Sequence, residues 1–248
     1  MLTLDVFPRD RPLRLLCIGA HCDDLEIGCG GTVLDWLAQC PGTQVTWAVM
    51  SASGERAAEA RRSASAFLRG AGSRSLVLHD FPDGRFPARF EEMKAAFASL
   101  AAAGSPDVIL THRLEDLHQD HRLVAELTWQ AFRDHLILEY EIPKYEGDLG
   151  RPNFYMPLSK AAARRKVANL MRLFPTQRAR DWFRPETFEA VMHLRGLECR
   201  APSGAAEAFQ ARKLVAAAGP CKTSLSGPPA AGLAGVRKAS SRNPQQRE

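Results

Sequence analysis

The stretch Arg14-Leu15-Leu16-Cys17-Ile18-Gly19, running straight into Ala20-His21-Cys22-Asp23-Asp24, decides how this chain is read. An apolar run of strand length that ends in a glycine predicts a buried strand, because a strand covered on both faces needs no polar alternation. Imidazole and carboxylate groups follow at once. A second pairing of the same kind lies downstream. Val108-Ile109-Leu110 is another short apolar run, and His118-Gln119-Asp120-His121 comes shortly after it.

Outward from these two points, strand-like and helix-like segments alternate. Strands are expected over 14–19, 44–50, 75–79, 107–111 and 136–142. Helices are expected over 28–39, 55–69, 90–103 and 119–134. That alternation predicts βαβ units, a mostly parallel sheet and right-handed crossovers. The fold class is therefore α/β: a Rossmann-like, mostly parallel sheet with helices on both faces. After Pro143 the pattern changes. Residues 145–157 read as a loop, 160–173 as a basic helix, and a further helix starts near Pro185, together forming a C-terminal mixed cap. In an open sheet of order 3-2-1-4, the first and fourth strands are neighbours, and ligands bind beyond their carboxyl ends. The two His/Asp clusters would then face each other across that crevice.

The whole chain has 248 residues, 45% hydrophobic and 25% charged, which is ordinary for a globular protein. Its formal charge is +5, but the segment from Lys222 to Glu248 carries five bases against one acid, +4, leaving about +1 for the rest. No basic face for nucleic acid is expected. That terminal segment is rich in Ser, Gly, Pro, Ala and Gln without aromatics, so residues 222–248 are expected to be a disordered tail after a single domain of 1–221. The six cysteines form no CxxC pair and suit a reducing, cytoplasmic setting. No membrane span and no secretory signal are expected.

Together the clusters offer His21, Asp23, Asp24, His118, Asp120 and His121. A catalytic zinc takes three protein ligands and leaves a position for water, so three of the six would be left for acid–base work. These are parts for metal-assisted amide hydrolysis. Fe(II) or Co(II) suits the same set. Structural readings compete: Asp23 and Asp24 as helix caps, His118 and His121 as solvated residues, His112 as structural but near enough to the second cluster to hold in reserve, and Asp83 as a turn residue.

The motif Ala20-His21-Cys22-Asp23-Asp24 with Gly28-Cys29-Gly30-Gly31-Thr32, and the later Glu115-Asp116-Leu117-His118-Gln119-Asp120-His121-Arg122, resemble the LmbE-like/PIG-L family of zinc-dependent N-acetyl-sugar deacetylases. The resemblance runs from about Arg14 to Leu214. It implies zinc ligands at His21, Asp24 and His121, a general base at Asp23, and an acid or oxyanion stabiliser at His118. It also implies a carboxylate at Asp120 that tunes that histidine, and a substrate-binding arginine at Arg56. Asp83 is added as a substrate contact because of its place beyond the third strand. The implied substrate is an N-acetylated amino sugar or glycoconjugate, and the family resemblance suggests a homo-oligomer. One position departs from the family pattern: Cys22 stands where proline is usual, removing a fixed φ from the loop. Two other readings stay open, a non-catalytic zinc-binding relative and a hydrolase of a non-sugar amide or phosphoester.

Overall fold

The computed structural model describes Met1, residues 3–8 and residues 10–215, and a compact unit spans Met1–Leu214. The expected end of the domain at 221 and the tail over 222–248 lie outside the described residues.

Seven strands form one sheet in the order β3-β2-β1-β4-β5-β7-β6. These are β1 Arg14–Gly19, β2 Gln44–Val49, β3 Ser73–Leu78, β4 Val108–Thr111, β5 Leu136–Tyr140, β6 Phe154–Pro157 and β7 Ala206–Ala211. β1 to β5 pair in parallel, with β1 bound to β2 on one side and to β4 on the other. The order reverses between β1 and β4, which opens the crevice between them.

The helices are α1 Asp24–Gln39, α2 Gly54–Phe67, α3 Phe90–Ala102, α4 Gln119–Ala131, α5 Lys160–Leu173 and α6 Pro185–Cys199. Strand alternation divides the core in two. Leu15 and Cys17 of β1 join the cluster containing α1, α2 and α5 residues. Leu16 and Ile18 join the cluster with Phe97 of α3 and Leu123 of α4. Period-two alternation sends neighbouring side chains to opposite faces, so an all-apolar β1 feeds both cores.

Two expectations are corrected. First, α1 starts at Asp24 rather than Gly28, because its glycines serve close packing and not entry. A β-carbon on Gly28 would overlap the Tyr140 ring, and one on Gly31 would come within 2.6 Å of Leu158 Cδ1. Second, the C-terminal region extends the sheet as well as capping it. β7 runs antiparallel to β5, and β6 antiparallel to β7. Residues 154–157, read as loop, end in Pro157, and the Ala/Glu-rich β7 has weak strand propensity; tertiary pairing makes both of them strands. The link is fixed by Glu207, whose carboxylate accepts Gly31 and Thr32 N–H at 2.9 and 2.7 Å and the Lys166 ammonium at 2.6 Å.

Candidate metal centre

The first cluster sits where β1 leaves the sheet. Met50 N–H donates to Gly19 O and Ser51 N–H to Ala20 O, extending the β1–β2 ladder past the strand. The Cys22 thiol donates to Ser51 O at 3.2 Å, and burial pushes its pKa up to about 12. It stays a neutral thiol that packs under the loop. The backbone links and this contact fix the loop without proline.

Three side-chain atoms converge at the mouth of the crevice. His21 Nδ1 lies 3.2 Å from His121 Nε2 and 3.4 Å from Asp24 Oδ2, and His121 Nε2 lies 3.6 Å from the same oxygen. The outer atom of each ring has a carboxylate partner. His121 Nδ1 is 3.1 Å from Asp116 Oδ2, and His21 Nε2 is 3.2 Å from Asp120 Oδ2. Those partners draw the ring protons outward, as carboxylates behind metal-binding histidines do, and leave lone pairs on the two inner nitrogens. Two lone pairs and a carboxylate oxygen this close repel one another unless a positive charge sits among them. A tetrahedral ion with bonds of about 2.1 Å separates its ligand atoms by about 3.4 Å. The residues fit a zinc-type ion on spacing and on donor chemistry.

The electrostatics agree. Burial raises the Asp24 pKa, but His121, His112 and His21 outweigh it and hold the group well below its usual value. Burial lowers His21, but Asp24, Asp120 and Asp83 hold it well above. Burial and His112 push His121 down to about 4, against Asp24 and Asp116. The shifts keep Asp24 ionised and favour positive charge beside it, at His21.

The other residues singled out in the sequence lie around this trio. His118 caps α4: its Nδ1 accepts the Asp120 N–H at 3.2 Å. The neutral ring therefore carries its proton on Nε2. Its ring stacks on His121 with centroids 4.5 Å apart. Asp120 does not reach His118 with its carboxylate, which corrects the expected pairing. Residues two apart on a helix point away from each other, so the carboxylate turns to His21 and accepts Gly84 and Phe86 N–H at 2.6 and 3.1 Å. Asp83 is largely exposed at the rim, 3.0 Å from His21 Nε2. Arg56 lines the cleft, but its guanidinium lies 2.5 Å from Asp23 Oδ1 and 2.8 Å from Glu59 Oε2. Burial raises the Asp23 pKa and Arg56 opposes that rise.

One residue was missed, and another was read as structural and held in reserve. Asp116, inside the quoted second motif, orients His121 and is itself held by Lys144 at 3.1 Å. His112 is fully buried, 3.0 Å from Asp24 Oδ2 and stacked on His121 at 3.9 Å between centroids. A signal existed for it: His112 follows β4 as His21 follows β1, and those strands are neighbours.

The trio lies in a cleft of about 500 Å³ lined also by Ser53, Phe81, Tyr145, Gln177, Arg180 and Trp182. A doubly wound sheet with a cluster of His and Asp side chains at its switch point defines the class: an α/β protein whose site residues could hold a metal ion. Residues 16–132 match the family described as PIG-L, GlcNAc-PI de-N-acetylase. No curated protein sequence matches it. Among solved structures, it resembles a conserved protein of Thermus thermophilus at 21% identity and TM-score 0.64, over 83% of this chain and 97% of that one. It resembles the N,N'-diacetylchitobiose deacetylase of Pyrococcus horikoshii at 19% identity and TM-score 0.63, over 80% and 83%. It also resembles the 4-carboxy-2-hydroxymuconate hydratase of Pseudomonas putida KT2440 at 18% identity and TM-score 0.66, over 83% and 98%. At these identities the likeness is one of fold.

Proposed function

We propose that this chain is a metal-dependent hydrolase that removes an N-acetyl group from an amino sugar or glycoconjugate. The observation that carries the reading is the convergence of His21 Nδ1, Asp24 Oδ2 and His121 Nε2 within 3.2–3.6 Å, with Asp23 and His118 beside them. The family match and the deacetylase fold relatives support it.

A divalent metal held by those three atoms would polarise the acyl carbonyl and lower the pKa of water. Asp23 takes the proton of the attacking water. Its carboxylate is held in place by Arg56, so its geometry is set before substrate arrives. His118 presents Nε2–H to the carbonyl oxygen as negative charge develops there, and the proton that Asp23 took from the water passes to the departing amine. The water oxygen bonds to the acyl carbon, the C–N bond breaks, and acetate and a free amine leave. Asp120 and Asp116 keep His21 and His121 in the tautomers that face inward. Trp182 and Tyr145 offer flat apolar faces at the mouth of the cleft, which suit the apolar face of a pyranose ring.

The test is acetate release from a panel of N-acetylated monosaccharides, nucleotide sugars and glycolipids, with and without chelator. Acetate formation that is abolished by chelator and restored by Zn(II), Fe(II) or Co(II) is expected. Bound metal with no acetate from any member would sink the deacetylase reading. The hydratase fold relative favours one second reading, addition of water to an unsaturated acid by the same base. Loss of absorbance from such a substrate, without acetate, would distinguish it.

A further inference from the structure

The geometry points to Glu59 and Thr176 as a positioning pair that tethers the substrate-contacting segment Pro175–Trp182 to the helix carrying Arg56, and so sets substrate affinity. This rests on the deacetylase reading for its kinetic consequence, not for the tether itself.

Glu59 lies one helical turn after Arg56 on α2, and its side chain is fully buried. A buried carboxylate is costly unless its oxygens are satisfied, and here each oxygen has a job. Oε1 accepts the Thr176 N–H at 3.0 Å. Oε2 accepts the Thr176 hydroxyl at 2.7 Å and the Arg56 guanidinium at 2.8 Å. Arg56 also reaches Thr176 Oγ1 at 3.3 Å and lies over the Phe174 ring at 5.7 Å. Thr176 sits in a single 3₁₀ turn, Pro175–Gln177. The segment that continues from this turn supplies Gln177, Arg180 and Trp182 to the cleft wall. A continuous chain of contacts therefore runs Asp23–Arg56–Glu59–Thr176. It joins the proposed base to the segment whose Gln177, Arg180 and Trp182 line the same cleft.

Such an anchor acts through other residues. Without it, the segment must be ordered when substrate binds, which raises KM. Asp23 and the metal ligands stay where they are, so kcat changes little.

Thr176→Val removes the hydroxyl at nearly constant volume, and Thr176→Ser keeps it. Amide hydrogen exchange over residues 175–182 should be faster in Thr176→Val and close to the parent in Thr176→Ser. For the N-acetyl sugar that the parent enzyme turns over, Thr176→Val should raise KM about tenfold, the scale of a lost hydrogen bond to a charged group. Its kcat should stay within about twofold, and Thr176→Ser should restore KM. Glu59→Gln should retain part of the tether while lowering kcat, because an amide N–H would then oppose the guanidinium that holds Asp23. Unchanged exchange in Thr176→Val, or equal impairment in Val and Ser variants, would overturn the tether. A parent that releases no acetate would sink the deacetylase reading alone, since the exchange measurement needs no turnover.

Discussion

Glu26 offers a sharp test of how this fold treats a misplaced charge. It sits in the first turn of α1, two residues beyond Asp24, and is fully buried. Neither of its oxygens has a hydrogen-bond partner, and Ser63 Oγ is likewise unpartnered. Burial is the largest cause pushing its pKa up to about 8 from an ordinary 4.5, and the charges of Asp23 and Asp24 add to it. The sign follows from proton counting. Below the unfolded value both states hold the proton and stability is unaffected. Between about pH 4.5 and about pH 8 the unfolded chain releases it and the folded chain keeps it, so stability falls as pH rises. A shift of about 3.5 units at 1.36 kcal/mol each gives a penalty of about 5 kcal/mol, fully developed above about pH 8. Glu26→Gln removes the titration. The stability difference between variant and parent should be small near pH 5 and grow by several kcal/mol towards pH 8. In a domain of this size that corresponds to a rise in Tm of about 10 °C. Urea unfolding of both proteins at a series of pH values measures it, and titrating groups remote from Glu26 cancel in the difference. A difference independent of pH would refute the reasoning, because it would mean that Glu26 is ionised in the folded state.

The other predictions concern the site and its packing. Asp23→Ala should keep its metal and lose turnover by about 10²–10⁴-fold, as removal of a general base does; steady-state kinetics with metal analysis decide, and full activity would remove Asp23 from that role. His121→Ala should bind less than one zinc per chain, and a stoichiometric ion in that variant would remove His121 from the ligand set. Asp116→Asn should weaken metal binding by about 10–100-fold in chelator competition, since it frees the His121 tautomer. Gly28→Ala should destabilise the protein by about 1–3 kcal/mol by driving a methyl into the Tyr140 ring, and unfolding midpoints measure it.

By itself, the sequence determined the βαβ frame and the site's address. β1 and β4 were legible because a strand covered on both faces reads as an unbroken apolar run. The helices were legible from their length and period. The 3-2-1-4 order then placed His21–Asp24 opposite His118–His121, and the structure has that order. The antiparallel β6 and β7 were not legible. Phe154-Tyr155-Met156-Pro157 ends in proline, and Ala206-Glu207-Ala208 has little strand preference, so only the pairing of β7 with β5 and of β6 with β7 makes them strands.

Within the site the division is finer. Residue type and spacing brought the right side chains to one place. Which atom faces which partner was decided in three dimensions. Asp120 is two residues from His118 yet bonds His21, because helical geometry turns it away from its sequence neighbour. Asp116 and His112 joined the site through contacts with residues on other elements. Arg56 reached Asp23 from α2 across the cleft wall. Local pattern records propensity and period. Hydrogen-bond partners and tautomers depend on which elements pack together, and so only the tertiary structure settles them.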